Sequence, residues 1–337
     1  MKSALSPAEE AHLKALPKAE VHLHLEGCLE AALIAQWAKT EGVTLPRPQE
    51  DLFKFSVLAD FLGFLDLACG LARTQDRLVE LSYGLSQRLA ANGTGYADVI
   101  FNPTHWHAWH GRLGEMLDAI HAGFSAAEQD GLPGVGLCVS LLRTQSADES
   151  IELVNTLTTL RHPRVVALSV DGNEATAGRT GPRFAEAFRQ AANAGLRRTV
   201  HAGESSGPEG VWDAVELLGA DRIDHGVRAI DDPALVQMLA DRQIPLGVCP
   251  TSNLVLGVYP SIEAHPIERL RQAGVRVSLN TDDPALLGAS LVGEHALCRQ
   301  AFGWTDEVTR EVARTSIEAS FASEDVKAGL LLQLRMW

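Results

Sequence analysis

The stretch Glu20-Val21-His22-Leu23-His24-Leu25-Glu26-Gly27 sets two histidines one residue apart among apolar side chains. Alternate residues of a β-strand point to the same side. His22 and His24 therefore leave one face of one strand together, close enough to hold one metal ion. Three later stretches bring further imidazoles and carboxylates: Thr199-Val200-His201-Ala202-Gly203-Glu204, Asp224-His225-Gly226 and Asn280-Thr281-Asp282-Asp283-Pro284.

Around the first strand, short β-branched runs recur between longer helical stretches. Strands are predicted at 20–25, 96–102, 136–142, 165–170, 198–201, 222–225, 245–249 and 275–280. Several are nearly continuous in apolar residues, as strands covered on both faces are. Helical patterns fall between them, including a long one over 58–91, and the tail 305–337 is helical as well. This alternation predicts an α/β fold: a (β/α)8 TIM barrel with extra helices after strand one and at the C-terminus. An open doubly wound sheet is the alternative, but no GxGxxG turn follows the first strand. No linker or repeat divides the chain, so residues 1–337 are read as a single barrel domain.

In a barrel the C-terminal strand ends converge on one rim. His22 and His24 end strand one, His201 strand five, His225 strand six and Asp282 strand eight. Three imidazoles and a carboxylate suit a first-row divalent ion, zinc foremost, although iron, cobalt and manganese accept the same donors. Phe61, Phe64 and Leu65 share one helical face, either buried in the core or forming an apolar lid over that rim. His105, His107 and His110 form a second cluster after strand two. It is read as a rim loop in which His105 faces substrate, and no metal is assigned to it.

Composition narrows the partners. The chain has 337 residues, 46% hydrophobic and 21% charged, with a formal net charge of −14. That charge repels phosphates, which argues against nucleic-acid and anionic-membrane partners and leaves a small neutral substrate. Five scattered cysteines without a CxxC pair read as reduced thiols in a cytoplasmic protein. The N-terminal segment lacks an apolar signal core, and no run is long enough to span a bilayer. Oligomeric state is not legible.

The motifs resemble the adenosine deaminase family of the amidohydrolase superfamily. The resemblance runs almost end to end. It rests on residues 17–27, His201-Ala202-Gly203-Glu204, Asp224-His225-Gly226, Cys249-Pro250-Thr251-Ser252-Asn253 and Ser278-Leu279-Asn280-Thr281-Asp282-Asp283-Pro284. It implies one catalytic Zn2+ per chain held by His22, His24, His201 and Asp282. It further implies Glu204 as proton donor to ring N1, His225 beside the attacking water, Asp283 at N7 and the Gly172 backbone at N3. The chemistry asks for such a set. Zinc moves the pKa of water towards roughly 7, and an acid must protonate the ring nitrogen as electrons move onto it.

The resemblance implies hydrolytic deamination of a 6-aminopurine, with adenosine or 2′-deoxyadenosine the leading substrate. Two positions point elsewhere. Classical adenosine deaminases resemble HLDG where this chain has Glu26, and they favour glycine where it has Asp224. Both look like the adenine deaminase or aminodeoxyfutalosine deaminase branches. The CPTSN and LNTDDP segments look like adenosine deaminases. Glu26 either shortens a ribose pocket or re-aims the carboxylate.

Overall fold

The computed structural model describes residues 5–55 and 58–337. Its strands are β1 (Lys18–His24), β2 (Thr94–Phe101), β3 (Gly134–Leu142), β4 (Val165–Asp171), β5 (Arg197–Ala202), β6 (Arg222–His225), β7 (Leu246–Val248) and β8 (Val277–Leu279). They lie in sequential order, and each neighbouring pair from β1–β2 to β7–β8 is parallel. Parallel neighbours require crossovers, and the helices that supply them bury the outer face of the sheet. The result is the (β/α)8 barrel that the strand–helix alternation predicts.

The last seam is built differently. Among the described residues, β8 and β1 meet through a single bridge, Leu23 with Asp282. Asp282 N donates to His22 O at 3.1 Å, and His24 N donates to Asp282 O at 2.8 Å. The Asn280 side chain replaces the missing ladder, its Oδ1 accepting from Val21 N at 2.7 Å and His22 N at 3.1 Å. Glu20 Oε1 accepts from both the backbone N–H and the hydroxyl of Thr281. Residues of the histidine and aspartate motifs therefore close the barrel.

Outside β1, Ala19 and Val21 pack with Ala313, Ile317, Leu330 and Leu334 from the C-terminal helices Asp306–Ala319 and Glu324–Met336. The turn between those helices reaches under the barrel. Arg222, fully buried, donates to Asp98 Oδ2 at 2.8 Å and to Ala319 O at 3.0 Å. Its guanidinium lies 4.4 Å from the centre of the Phe321 ring. The C-terminal extension thus covers the seam and plugs the end opposite the motif histidines.

The pattern predicted as one helix over 58–91 is two helices, Leu58–Cys69 and Gln75–Ala91. Thr74 starts the second, its Oγ1 accepting from Arg77 N at 3.4 Å. Apolar periodicity continues across the break and hides it. Among the described residues no helix is long and apolar enough to cross a membrane.

Candidate metal centre

The ends of β1, β5 and β6 and the turn after β8 bring His22, His24, His201, His225 and Asp282 together. His22 Nε2 and His24 Nε2 stand 3.1 and 3.0 Å from His201 Nε2. Asp282 Oδ1 is 3.4 Å from His22 Nε2 and 3.3 Å from His24 Nε2. Donors about 2.0–2.1 Å from one shared ion stand roughly 3.0–3.4 Å apart, so this spacing fits a single first-row cation. Ser252 Oγ donates to Asp282 Oδ2 at 2.6 Å, which leaves Oδ1 for the cluster.

One donor atom each from His22, His201, His225 and Asp282 also fall within 4.8 Å of one another, so distance alone admits His225 in place of His24. Hydrogen bonding argues against His225. His265 Nδ1 accepts from Ile267 N at 3.3 Å, so its Nε2–H donates to Asn253 Oδ1 at 3.0 Å. Asn253 Nδ2 then donates to His225 Nδ1 at 3.3 Å. A neutral imidazole that accepts at one nitrogen carries its proton on the other. His225 Nε2 therefore presents an N–H, 3.6 Å from Glu204 Oε1, and suits a donor rather than a ligand. His22 is the reverse case. Its Nδ1–H donates to Gly247 O at 2.8 Å, leaving the Nε2 lone pair free.

Charge is concentrated here. Burial opposes ionisation of His24, yet the hydrogen bond to Asp282 and the charges of Asp283, Asp282 and Asp171 hold it well above its ordinary value. Burial would also raise Asp282, but hydrogen bonds from His22 and His24 hold it well below the usual carboxylate range. His201 is pushed well down by burial, then by His22, His24 and His225. His225 is lowered to about 3 by burial and then by His22. The backbone is strained at the same place. His225 (φ 66°) and Asp282 (φ 63°) occupy the left-handed region, at a cost on the order of 1–3 kcal/mol each.

A chamber of 380 Å³ opens on the cluster, and Glu26, Gly172, Glu204 and Asp283 all line it. Burial, then the charges of Asp282 and Glu174, push the Glu204 carboxyl up to about 8. Burial and then Asp282 push Asp283 up to about 7. Glu26 is raised by burial. Its Oε1 accepts from Asn102 N at 2.8 Å and Trp106 Nε1 at 2.7 Å, while its buried Oε2 has no protein partner. Gly172 has φ 99°, and a Cβ there would stand 2.9 Å from Leu142 Cδ1, so the position calls for glycine.

Phe61 and Leu65 also line the chamber while being 4% and 6% exposed. Their helix is at once a core helix and a wall of the site. His105 reaches the chamber, its Nδ1–H donating to Asp66 Oδ1 at 2.7 Å. His107 and His110 do not reach it and lie edge to face with each other. Trp106 and Asn102, which fix Glu26, were not anticipated. Asn102 ends a predicted strand, the one signal for it, and Trp106 was obscured by its histidine neighbours. Larger grooves of 890 and 680 Å³ run between outer helices, without such a meeting of histidines and carboxylates.

The model of the adenosine deaminase family matches residues 17–337, and the chain belongs to that family. It is a hydrolytic deaminase. An adenine deaminase of Streptomyces coelicolor is 34% identical over 317 residues, covering 93% of this chain and 92% of its own. The crystal structure of an adenine deaminase from Arthrobacter aurescens superposes with a TM-score of 0.89 at 30% identity, over 96% of this chain and 99% of its own. An amidohydrolase from Burkholderia ambifaria with bound zinc superposes with a TM-score of 0.89 at 28% identity, over 100% of this chain and 95% of its own. Two of these relatives are named for adenine, whereas the motifs put adenosine first.

Proposed function

We propose that this chain deaminates adenine to hypoxanthine and ammonia, with His22, His24, His201 and Asp282 holding one zinc ion. The observation that carries the choice of free base is Glu26. Its Oε2 is buried, faces no protein donor and belongs to a residue lining the chamber. A buried acceptor left unpaired costs about 1–3 kcal/mol. The N3/N9 edge of free adenine carries an N–H that satisfies it. In a nucleoside N9 bears the sugar instead. The named relatives, which are adenine deaminases, support the same reading.

When bound, the ion supplies Lewis acidity that makes water nucleophilic near neutral pH. Glu204, protonated because of burial and the neighbouring Asp282 and Glu174 charges, delivers its proton to N1 as water adds at C6. His225 Nε2–H, fixed by Asn253 and His265, donates a hydrogen bond to the incoming oxygen. Asp283 holds N7, and the Gly172 backbone meets N3. Of the two protons that the water gives up, one restores Glu204 and the other passes to the exocyclic amine, so the C6–N bond breaks, ammonia leaves and C6 keeps the oxygen as a carbonyl. Phe61 and Leu65 keep bulk water from the ring face. A cytoplasmic location accords with this role.

The test is a parallel panel of adenine, adenosine, aminodeoxyfutalosine and N6-substituted adenines with zinc-loaded protein. Adenine is expected to exceed the others in kcat/KM by about 10²-fold or more. Equal or faster turnover of adenosine would reject the free-base assignment, and no turnover of any of them would reject deamination of 6-aminopurines. Glu26→Asp is expected to narrow the preference.

A further inference from the structure

Glu174 does not line the chamber, yet it is tied to the residue that does the proton work. It is 5% exposed and opens the short helix Glu174–Ala177, two residues beyond Gly172. Its Oε1 accepts from Gly203 N at 2.8 Å. Its Oε2 accepts from Glu204 N at 3.0 Å and from Ser206 N at 3.2 Å. All three amides belong to the turn between β5, which ends just past His201, and the helix Glu209–Glu216.

That turn carries Glu204 and contains Gly203 in the left-handed region. Backbone N–H groups shielded from water need partners, and here one carboxylate accepts from three, one buried and two half-buried. The packing is built around it. A methyl group on Gly210 would stand 2.4 Å from Glu174 Oε1. On the strand side, Arg143 donates to the carbonyl of His201 and, at 3.0 Å, to Thr180 Oγ1.

We propose that Glu174 is a positioning residue for Glu204: its carboxylate gathers the amides of residues 203, 204 and 206 and so aims the Glu204 carboxyl into the chamber. This rests on the reading of Glu204 as the proton donor. Because Glu174 follows Gly172 in one short loop, the wall against the ring edge and the grip on the acid are one rigid piece. The negative charge of Glu174 also favours the protonated form of Glu204.

The experiment compares the full-length, zinc-loaded protein with Glu174→Gln, Glu174→Ala and Gly210→Ala. It reads kcat and KM separately, zinc per chain by elemental analysis, and hydrogen exchange at the three amides. In Glu174→Ala, kcat is expected to fall about 10- to 100-fold with KM within about threefold and zinc retained. The three amides lose exchange protection. Glu174→Gln keeps one accepting oxygen and recovers much of kcat. Gly210→Ala displaces an intact carboxylate and reproduces the loss.

A kcat in Glu174→Ala within about twofold of wild type, against the 10- to 100-fold expected of a positioning residue, overturns the proposal. So does a kcat loss that simply follows zinc loss. Should Glu174→Ala fail to fold, unchanged kcat in both other variants overturns it. Should adenine prove not to be the substrate, exchange still decides. Intact protection without Glu174 refutes the clasp, and lost protection upholds it, whatever the enzyme deaminates.

Discussion

Gly27 and Asp283 are packed so closely that a methyl group on Gly27 would sit 2.2 Å from Asp283 Oδ1 and 2.4 Å from its Cα. The glycine ending the first motif is thus required by the second aspartate of the last. Ala285 N donates to Gly27 O at 2.9 Å and locks the two turns together. Gly27→Ala is expected to push Asp283 out of place and lower kcat/KM by about 10²-fold, since displacements near 1 Å have that effect. Zinc content should be unchanged, because the ligand side chains lie outside this contact. Steady-state kinetics beside elemental analysis checks both halves.

Glu204 should set the alkaline limb of activity. Its carboxyl, pushed up to about 8 by burial and by Asp282 and Glu174, is protonated below that value and ionised above it. A proton donor works only in the protonated form, so kcat falls as pH rises through the pKa. A cation on Asp282 offsets that carboxylate and moves the limb towards neutrality. Glu204→Gln is expected to lose about 10² to 10⁴ in rate and to abolish the limb. A limb that survives in Glu204→Gln assigns it to another group.

Removal of metal should be felt in the fold as well as in turnover, because His22 and Asp282 also close the β8–β1 seam. Dialysis against a chelator is expected to abolish activity and lower Tm. An ion at 100-fold excess over its Kd stabilises by about 2.7 kcal/mol, a shift of roughly 4 °C for a chain of this size at about 2.1 cal/mol/K of unfolding entropy per residue. Zinc should restore both. Calorimetry with and without chelator is the measurement, and an unchanged Tm would contradict the double role.

Arg222 is fully buried against the equally buried Asp98. Arg222→Ala leaves the Asp98 carboxylate without its cation, with only the Phe321 N–H still donating to Oδ2 at 2.9 Å, and removes the donor to Ala319 O. The expected loss is about 3–5 kcal/mol, read as a shift in the urea midpoint. Replacing both Arg222 and Asp98 by apolar residues should recover part of it.

Much of this was legible because strand periodicity and strand-end position are local properties. His22 and His24 share a face by period two, and β-branched runs mark all eight strands. The gathering of His22, His24, His201 and Asp282 was legible because each lies near or just past the C-terminal end of a strand, and barrel strand ends meet. The role of Glu174 was not legible: its partners are backbone N–H groups 29 to 32 residues away, which leave no trace in side-chain pattern. The break at 70–74 was hidden because apolar spacing continues through it. The tautomer of His225 depended on His265, whose link to Asn253 exists only after folding.

The seam between the final strand and the first has a consequence for how the polypeptide is born. His22 and Asn280 are 258 residues apart. At about 5–20 residues per second, roughly 13–50 s separate their emergence from the ribosome. Throughout that interval the nascent chain displays the His22 and His24 imidazoles on an open edge, and the carboxylate that completes the quartet has yet to be translated.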